Sequence, residues 1–266
     1  MSEEPEILED IQSSADRREV PLQKVGIKDI EMPFMIKCMG AGHQTVLANV
    51  MLSADLPHYF KGTHMSRFVE ILEEWRNRPV SGPEIKTILQ QTRSMLSSDT
   101  AAVDVRYKYF IEKQAPVSKF KSTMGYMSSF SGALSSERFD FRLGVEVPIT
   151  TVCPCSKAIA EEGAHNQRAL IRAKLRFTHG SFMWIEEVVR LLESQGSMDI
   201  FPLLKREDEK FVTEQAFRNP KFVEDVVRDC VVALRKEPRL RWFSVECESY
   251  ESIHEHTAFA SFEESV

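Results

Sequence analysis

Residues 151–168, Thr-Val-Cys-Pro-Cys-Ser-Lys-Ala-Ile-Ala-Glu-Glu-Gly-Ala-His-Asn-Gln-Arg, gather two thiols, an imidazole and several polar groups at the end of an apolar run. A thiolate is both a nucleophile and a ligand for zinc-like ions, so the segment reads as a reactive site. In an extended chain residues i and i+2 face the same side. Cys153 and Cys155 are therefore expected to present both sulfurs to one pocket, with Pro154 ending the strand. A disulfide between them is disfavoured, because Cα atoms roughly 6.5–7 Å apart lie at or past the limit for an unstrained bridge. The competing reading of the bare motif is two small buried residues.

Ser252-Ile253-His254-Glu255-His256 is a second i,i+2 pair, and if that stretch is extended both imidazoles face one way. A surface pair of this kind is common, but beside a Cys-x-Cys it gains weight, since zinc-like ions favour mixed Cys and His shells. The charge run at 203–210 reads by default as a solvated loop, with Glu209 able to add a carboxylate to a Cys/His site. Glu224 falls at the border of a helical apolar stripe, where a carboxylate is partly buried and needs donors. It is either a rim residue or an acceptor for two adjacent N–H groups of a ligand. Lys61-Gly62-Thr63-His64-Met65-Ser66-Arg67-Phe68 puts cations and hydroxyls at a helix start, which suits an anion and equally suits an ordinary capped helix.

These groups need elements to hold them. Residues 1–20 are acidic and poor in large apolar side chains, so a mobile tail is expected, with the ordered chain starting near Pro21. Strands are expected at 22–39 and 43–54, helices at His64–Trp75 and Ser81–Met95, and extended chain over 101–113 and on to about 134. From Phe139 the order recurs, with strands at 139–152 and 167–178 and a helix at 183–194. A second helix is expected to be capped by Asn219, with Pro220 in its first turn and a stripe of apolar residues from Phe222 to Leu234. Strands at 240–249 and 256–263 close the pattern. The result is an α+β fold of antiparallel sheets with helices on one face, in two halves at 21–135 and 136–266, the second carrying most site residues.

Composition narrows the function. At 42% hydrophobic and 28% charged, the 266 residues describe a soluble globular chain, and its apolar runs fall short of the roughly 20 residues a membrane span requires. Met-Ser-Glu-Glu-Pro-Glu at the start has neither a basic nor an apolar signal region, so a cytoplasmic protein is expected. Five cysteines, with Cys38, Cys230 and Cys247 in apolar surroundings, suit reduced core thiols rather than a disulfide framework. A net charge of -6 argues against nucleic-acid binding but leaves room for one anionic nucleotide.

Six segments in order carry a resemblance: Lys-Gly-Thr-His-Met-Ser-Arg-Phe at 61–68; Cys-Pro-Cys-Ser-Lys at 153–157 with Gly-Ala-His-Asn-Gln-Arg at 163–168; Pro-Leu-Leu-Lys-Arg-Glu-Asp-Glu-Lys at 202–210; Val-Thr-Glu-Gln-Ala-Phe at 212–217; Asn-Pro-Lys-Phe-Val-Glu-Asp at 219–225; and Glu-Ser-Ile-His at 251–254. Together they resemble type IB GTP cyclohydrolase. Phe217, where Tyr is common, and Glu255, where Asn is, are the departures. The resemblance implies a tunnelling fold of two tandem ββααββ halves, assembled as a homotetramer with active sites at protomer boundaries. It implies conversion of GTP and water to formate and 7,8-dihydroneopterin triphosphate, at the entry to folate synthesis, with a divalent metal: manganese, zinc or iron. Carried over, Cys153, His165 and Glu209 resemble the metal ligands, and Glu224 the guanine anchor. Cys155 and His254 resemble proton-transfer groups beside the metal, either one a ligand in some metal states. Lys61, Arg67, Lys157, Arg168, Lys205 and Arg206 form the pool for the triphosphate. The alternatives are a nitrile reductase of the same fold, acting on a 7-deazaguanine with NADPH, and a non-enzymatic protein with a closed structural metal shell.

Overall fold

The computed structural model describes residues 10–12, 14–40, 42–136 and 138–266. Alternating apolar and polar residues build long strands whose buried positions all face one way. In β3 (Ala101–Gln114), Val103, Val105, Tyr107 and Tyr109 are buried, while Arg106 and Lys108 between them are exposed. The first half runs β1 (Leu22–Lys37), β2 (His43–Leu56), α1 (Met65–Trp75), α2 (Gly82–Leu96), β3 and β4 (Lys121–Leu134). The second runs β5 (Phe139–Val152), α3 (Pro154–Ile159), β6 (Asn166–Phe177), α4 (Ile185–Glu193), the two-residue β7 (Met198–Asp199), α5 (Arg206–Arg218), α6 (Val223–Arg235), β8 (Leu240–Ser249) and β9 (Ala258–Ser265).

All strand pairs are antiparallel, in one sheet of order β1-β2-β3-β4-β5-β6-β8-β9, with β7 added on β5. The helices cover its apolar face: α2 lies on β3 and β4, α4 on β5, α6 on β8 and β9. The approach of α2 is close enough to require glycine at 132, where a Cβ would stand 2.5 Å from Ile85 Cγ2. On the other face, charged side chains pair across strands, Arg106 with Glu146 and Arg172 with Glu246 and Glu248. Beneath the helices, Lys113 Nζ stands 2.7 Å from Glu193 and 3.3 Å from Asp199 and donates to the Ile200 carbonyl, while the Tyr126 hydroxyl donates to Glu193. Burial raises the Glu193 carboxyl above its ordinary value, opposed by the Lys113 charge.

Several expectations change. The tail is held where it is described: Ser14 and Gln12 carbonyls accept from the Lys61 and Gly62 amides, and Ala15 bridges Phe60. Residues 1–9 of the expected mobile tail lie outside the described residues. The charge run at 203–210 is no loop, because α5 starts inside it at Arg206. Asn219 is the C-cap of α5 rather than the N-cap of the next helix, and α6 begins only at Val223. The reason is tertiary: the Lys221 amide donates to the Val152 carbonyl, which ties the segment before α6 to the end of β5.

Candidate functional site

Cys153 follows the last residue of β5 and is the N-cap of α3, with Pro154 at the first helical position. This corrects the expected extended Cys-x-Cys. Pro154 starts a helix, since its fixed φ suits the first turn and its missing N–H costs nothing there, so Cys155 turns onto the helix and is exposed while Cys153 is half-buried. The Cys153 sulfur accepts from the Ser156 amide at 3.4 Å. The Cys153 amide donates to the His165 carbonyl at 3.1 Å, and the His165 amide donates to Ser156 Oγ at 2.9 Å. The main chains of Cys153 and His165 are thereby joined.

The half-buried His165 ring has Nδ1 3.0 Å from Gln167 Oε1, and Gln167 Nε2 donates to Glu251 at 3.3 Å. Ser252 Oγ stands 3.4 Å from the same Nδ1, which carries the 251–257 segment over the site. His254 and His256 lie in that segment, exposed, with rings stacked at 5.1 Å in a run of bends rather than a strand.

Glu209 sits on the first turn of α5, exposed, at the same end of the sheet. Its neighbour Asp208 is fully buried and fixes that turn by accepting from the Val117, Ser118 and Lys205 amides and from Ser118 Oγ. At the other end of α5, Lys157 Nζ donates to the Phe217 carbonyl and lies 4.4 Å from the Phe217 ring centre. Among the described residues no three His, Cys, Asp or Glu side chains stand close enough to hold a metal. Cys153 and His165 are residue types that zinc-like ions take, on main-chain segments joined to each other, and Glu209 stands apart on the firmly anchored start of α5. Glu224, in the first turn of α6, is exposed rather than partly buried, because the helix begins after 219–222 has docked on Val152.

Asp208 also carries a pH prediction. Burial alone would raise its carboxyl, but the hydrogen bonds from Ser118, Lys205 and Val117 outweigh burial and hold it well below the usual carboxylate range. A group lowered in the folded state stabilises the fold above its unfolded value, near pH 4, and loses that contribution as the pH falls. Asp208→Asn should therefore melt at lower temperature at neutral pH, with the difference from the parent shrinking below about pH 4. A difference that stays constant into acid would contradict this.

The 61–68 segment lies elsewhere. It follows β2, whose Ala54 is level with Ala101, Leu134 and Phe139, the far end of β5 from Cys153. Fourteen residues of β5 span roughly 45 Å at about 3.3 Å per residue, so within one protomer Lys61 and Arg67 are remote from the thiols. Arg67 donates to the Met95 carbonyl at the end of α2, and His64 Nε2 stands 3.3 Å from Asp10. Lys157, Arg168, Lys205 and Arg206 of the basic pool remain at the Cys153 end. Sequence reasoning assigned no role to Gln167, Glu251 and Ser252, although all three lie in the segments that carry the resemblance, and it did not single out Ser249: Gln167 and Ser252 meet the His165 ring, with Glu251 and Ser249 behind Gln167.

Comparison with known structures and sequences defines the class and then the family. The chain superposes on the uricase of Arthrobacter globiformis with a TM-score of 0.54 at 7% identity, covering 92% of this chain and 94% of that one. This is a tunnelling fold, and at that identity the likeness speaks of the fold alone. The chain belongs to the type I GTP cyclohydrolase FolE2 family, whose model matches residues 8–260. Among its relatives, GTP cyclohydrolase FolE2 of Geobacter sulfurreducens is 48% identical over 255 residues, covering 96% of this chain and 97% of that protein. The protein of the same name from Syntrophus aciditrophicus is 48% identical over 254 residues, covering 96% and 98%.

Proposed function

We propose that the chain is a GTP cyclohydrolase of the IB type, acting in the cytoplasm as a homotetramer and using a divalent metal, manganese, zinc or iron. It converts GTP and water to formate and 7,8-dihydroneopterin triphosphate, the first step of tetrahydrofolate synthesis. The observation that carries the reading is the joining of Cys153 to His165 at the end of β5, beside Cys155, Glu224 and the 251–257 segment, in a chain whose FolE2 relatives match it nearly end to end. Nothing in those relatives supports the nitrile reductase alternative.

Cys153 and His165 would hold the ion, with Glu209 of the first turn of α5 as the carboxylate that would complete the set. Such an ion lowers the pKa of water toward neutrality, which is what attack at purine C8 requires. The chain's own residues do the rest. Glu224 accepts guanine N1–H and the 2-amino group side by side, as a carboxylate accepts any bidentate donor. His254 and Cys155 move the protons that N7 and N9 must take as their bonds to C8 break. The triphosphate draws on Lys157, Arg168, Lys205 and Arg206 of one protomer, with Lys61 available only from another. Among the described residues β1 and β9 each have a single neighbouring strand, and such long free edges favour pairing between protomers.

Cys155→Ala and His254→Ala should keep most of the bound metal while losing roughly 10²–10⁴-fold in kcat, the usual scale of general acid–base catalysis. Metal analysis beside kinetics checks this, and metal loss in either variant would move that residue into the coordination shell. The reading as a whole is tested by incubating the enzyme with GTP and following formate. NADPH consumption with a 7-deazaguanine nitrile, and no formate from GTP, would instead select the reductase.

A further inference from the structure

We propose that Gln167, oriented by Glu251, fixes the tautomer of His165 so that the ring presents its Nε2 lone pair to the metal. The inference rests on the reading of His165 as a ligand and adds two positioning residues to it. Glu251 is the acceptor that has no choice. Glu251 Oε1 lies 3.3 Å from the Gln167 side-chain amide and 2.9 Å from Ser249 Oγ. An ionised carboxylate only accepts, so the Gln167 group facing it must be the NH₂. The other end of that amide is then the carbonyl oxygen, which stands 3.0 Å from His165 Nδ1.

A carbonyl oxygen also only accepts, so His165 Nδ1 must carry the hydrogen. In the neutral ring the lone pair is then at Nε2, the nitrogen turned away from Gln167. This is the arrangement by which ligand histidines are commonly held, with one ring nitrogen donating to an oxygen behind and the other facing the ion. Among the described residues Ser252 Oγ is the competitor at Nδ1. At 3.4 Å from Nδ1 and 3.5 Å from Gln167 Oε1 it is at the edge of hydrogen bonding to both, so the 3.0 Å contact decides the tautomer.

Glu251 is itself placed by the backbone. Its amide donates to the Ser249 carbonyl, the Tyr250 amide donates to the Arg168 carbonyl, and Ser249 is buried at the end of β8. The relay is therefore anchored at the ends of β6 and β8, with Glu251 at the root of the loop that carries His254.

Two measurements on the untagged full-length enzyme test it. In metal-free protein with ring-¹⁵N histidine, the His165 signal, assigned by its loss in His165→Gln, should report hydrogen on Nδ1 and a bare Nε2. Glu251→Gln, whose amide offers both a donor and an acceptor, should mix the two tautomers. In zinc titrations against a competing chelator, Gln167→Leu should weaken binding roughly 10–100-fold, the scale of supporting contacts behind metal ligands. The exchanged pair Gln167→Glu with Glu251→Gln keeps an acceptor at Nδ1 and a donor behind it, and should recover most of the loss. Hydrogen on Nε2 in the parent, or parent-like zinc affinity in Gln167→Leu, overturns the proposal. Parent-like affinity in His165→Gln overturns the ligand reading instead, and the ring signal still decides the relay.

Discussion

Cys153→Ser is expected to fold normally, to lose bound metal and to release formate from GTP at least on the order of 10³-fold more slowly than the parent, since metal assistance to water attack is worth several kcal/mol. The sulfur sits at the joint of β5 and α3, where it accepts from the Ser156 amide, while the Cys153 main-chain amide donates to the His165 carbonyl. A serine oxygen can replace the cap contact, because Ser is a favoured N-cap residue. It is a poor replacement for a thiolate on a zinc-like ion. Fold and metal binding should thus separate: thermal melting close to the parent's, metal content near zero. Stoichiometric metal with near-normal turnover would show that Cys153 is not a ligand.

Glu224→Gln is expected to weaken GTP binding by about 1.5–3 kcal/mol, the range for hydrogen bonds to a charged group, or roughly 10–150-fold in Kd. The amide accepts at one oxygen only and turns a donor toward a guanine donor. Because Glu224 is exposed, its desolvation would come from the bound base, which keeps the effect below that of a carboxylate already buried. Metal content should not change, as α6 is anchored to β5 through Lys221 and not through Glu224. Calorimetry with GTP, and with ATP as control, reads the effect; parent-like GTP affinity in the variant would remove Glu224 from guanine recognition.

The long strands were legible because they bury alternate side chains, as in Val145, Val147 and Ile149 of β5. α5 was not, because it has no apolar stripe: its buried residues are Asp208 and Ala216, and a carboxylate holds it to the 117–118 turn. The start of α6 was misplaced for a related reason. Asn219 and Pro220 form a strong local capping signal, but a tertiary hydrogen bond from Lys221 to Val152 overrides it. Pro154 misled in the other direction, since one residue type both ends strands and starts helices. At the site, Cys153 and His165 were legible as chemistry-bearing residues. Their support was not, because Gln167, Ser249 and Glu251 are ordinary polar side chains until β6 and β8 pair. The remoteness of Lys61 from Cys153 also appears only once the strands are in register.

This chain is expected to hydrolyse GTP with the help of a metal held by Cys153 and His165. Exhaustively metal-stripped protein, given GTP with and without Mn²⁺ or Zn²⁺, tests it most directly by formate release. The account predicts no formate without metal, restored turnover with it, and no restoration in Cys153→Ser. Full turnover by the stripped protein would contradict it.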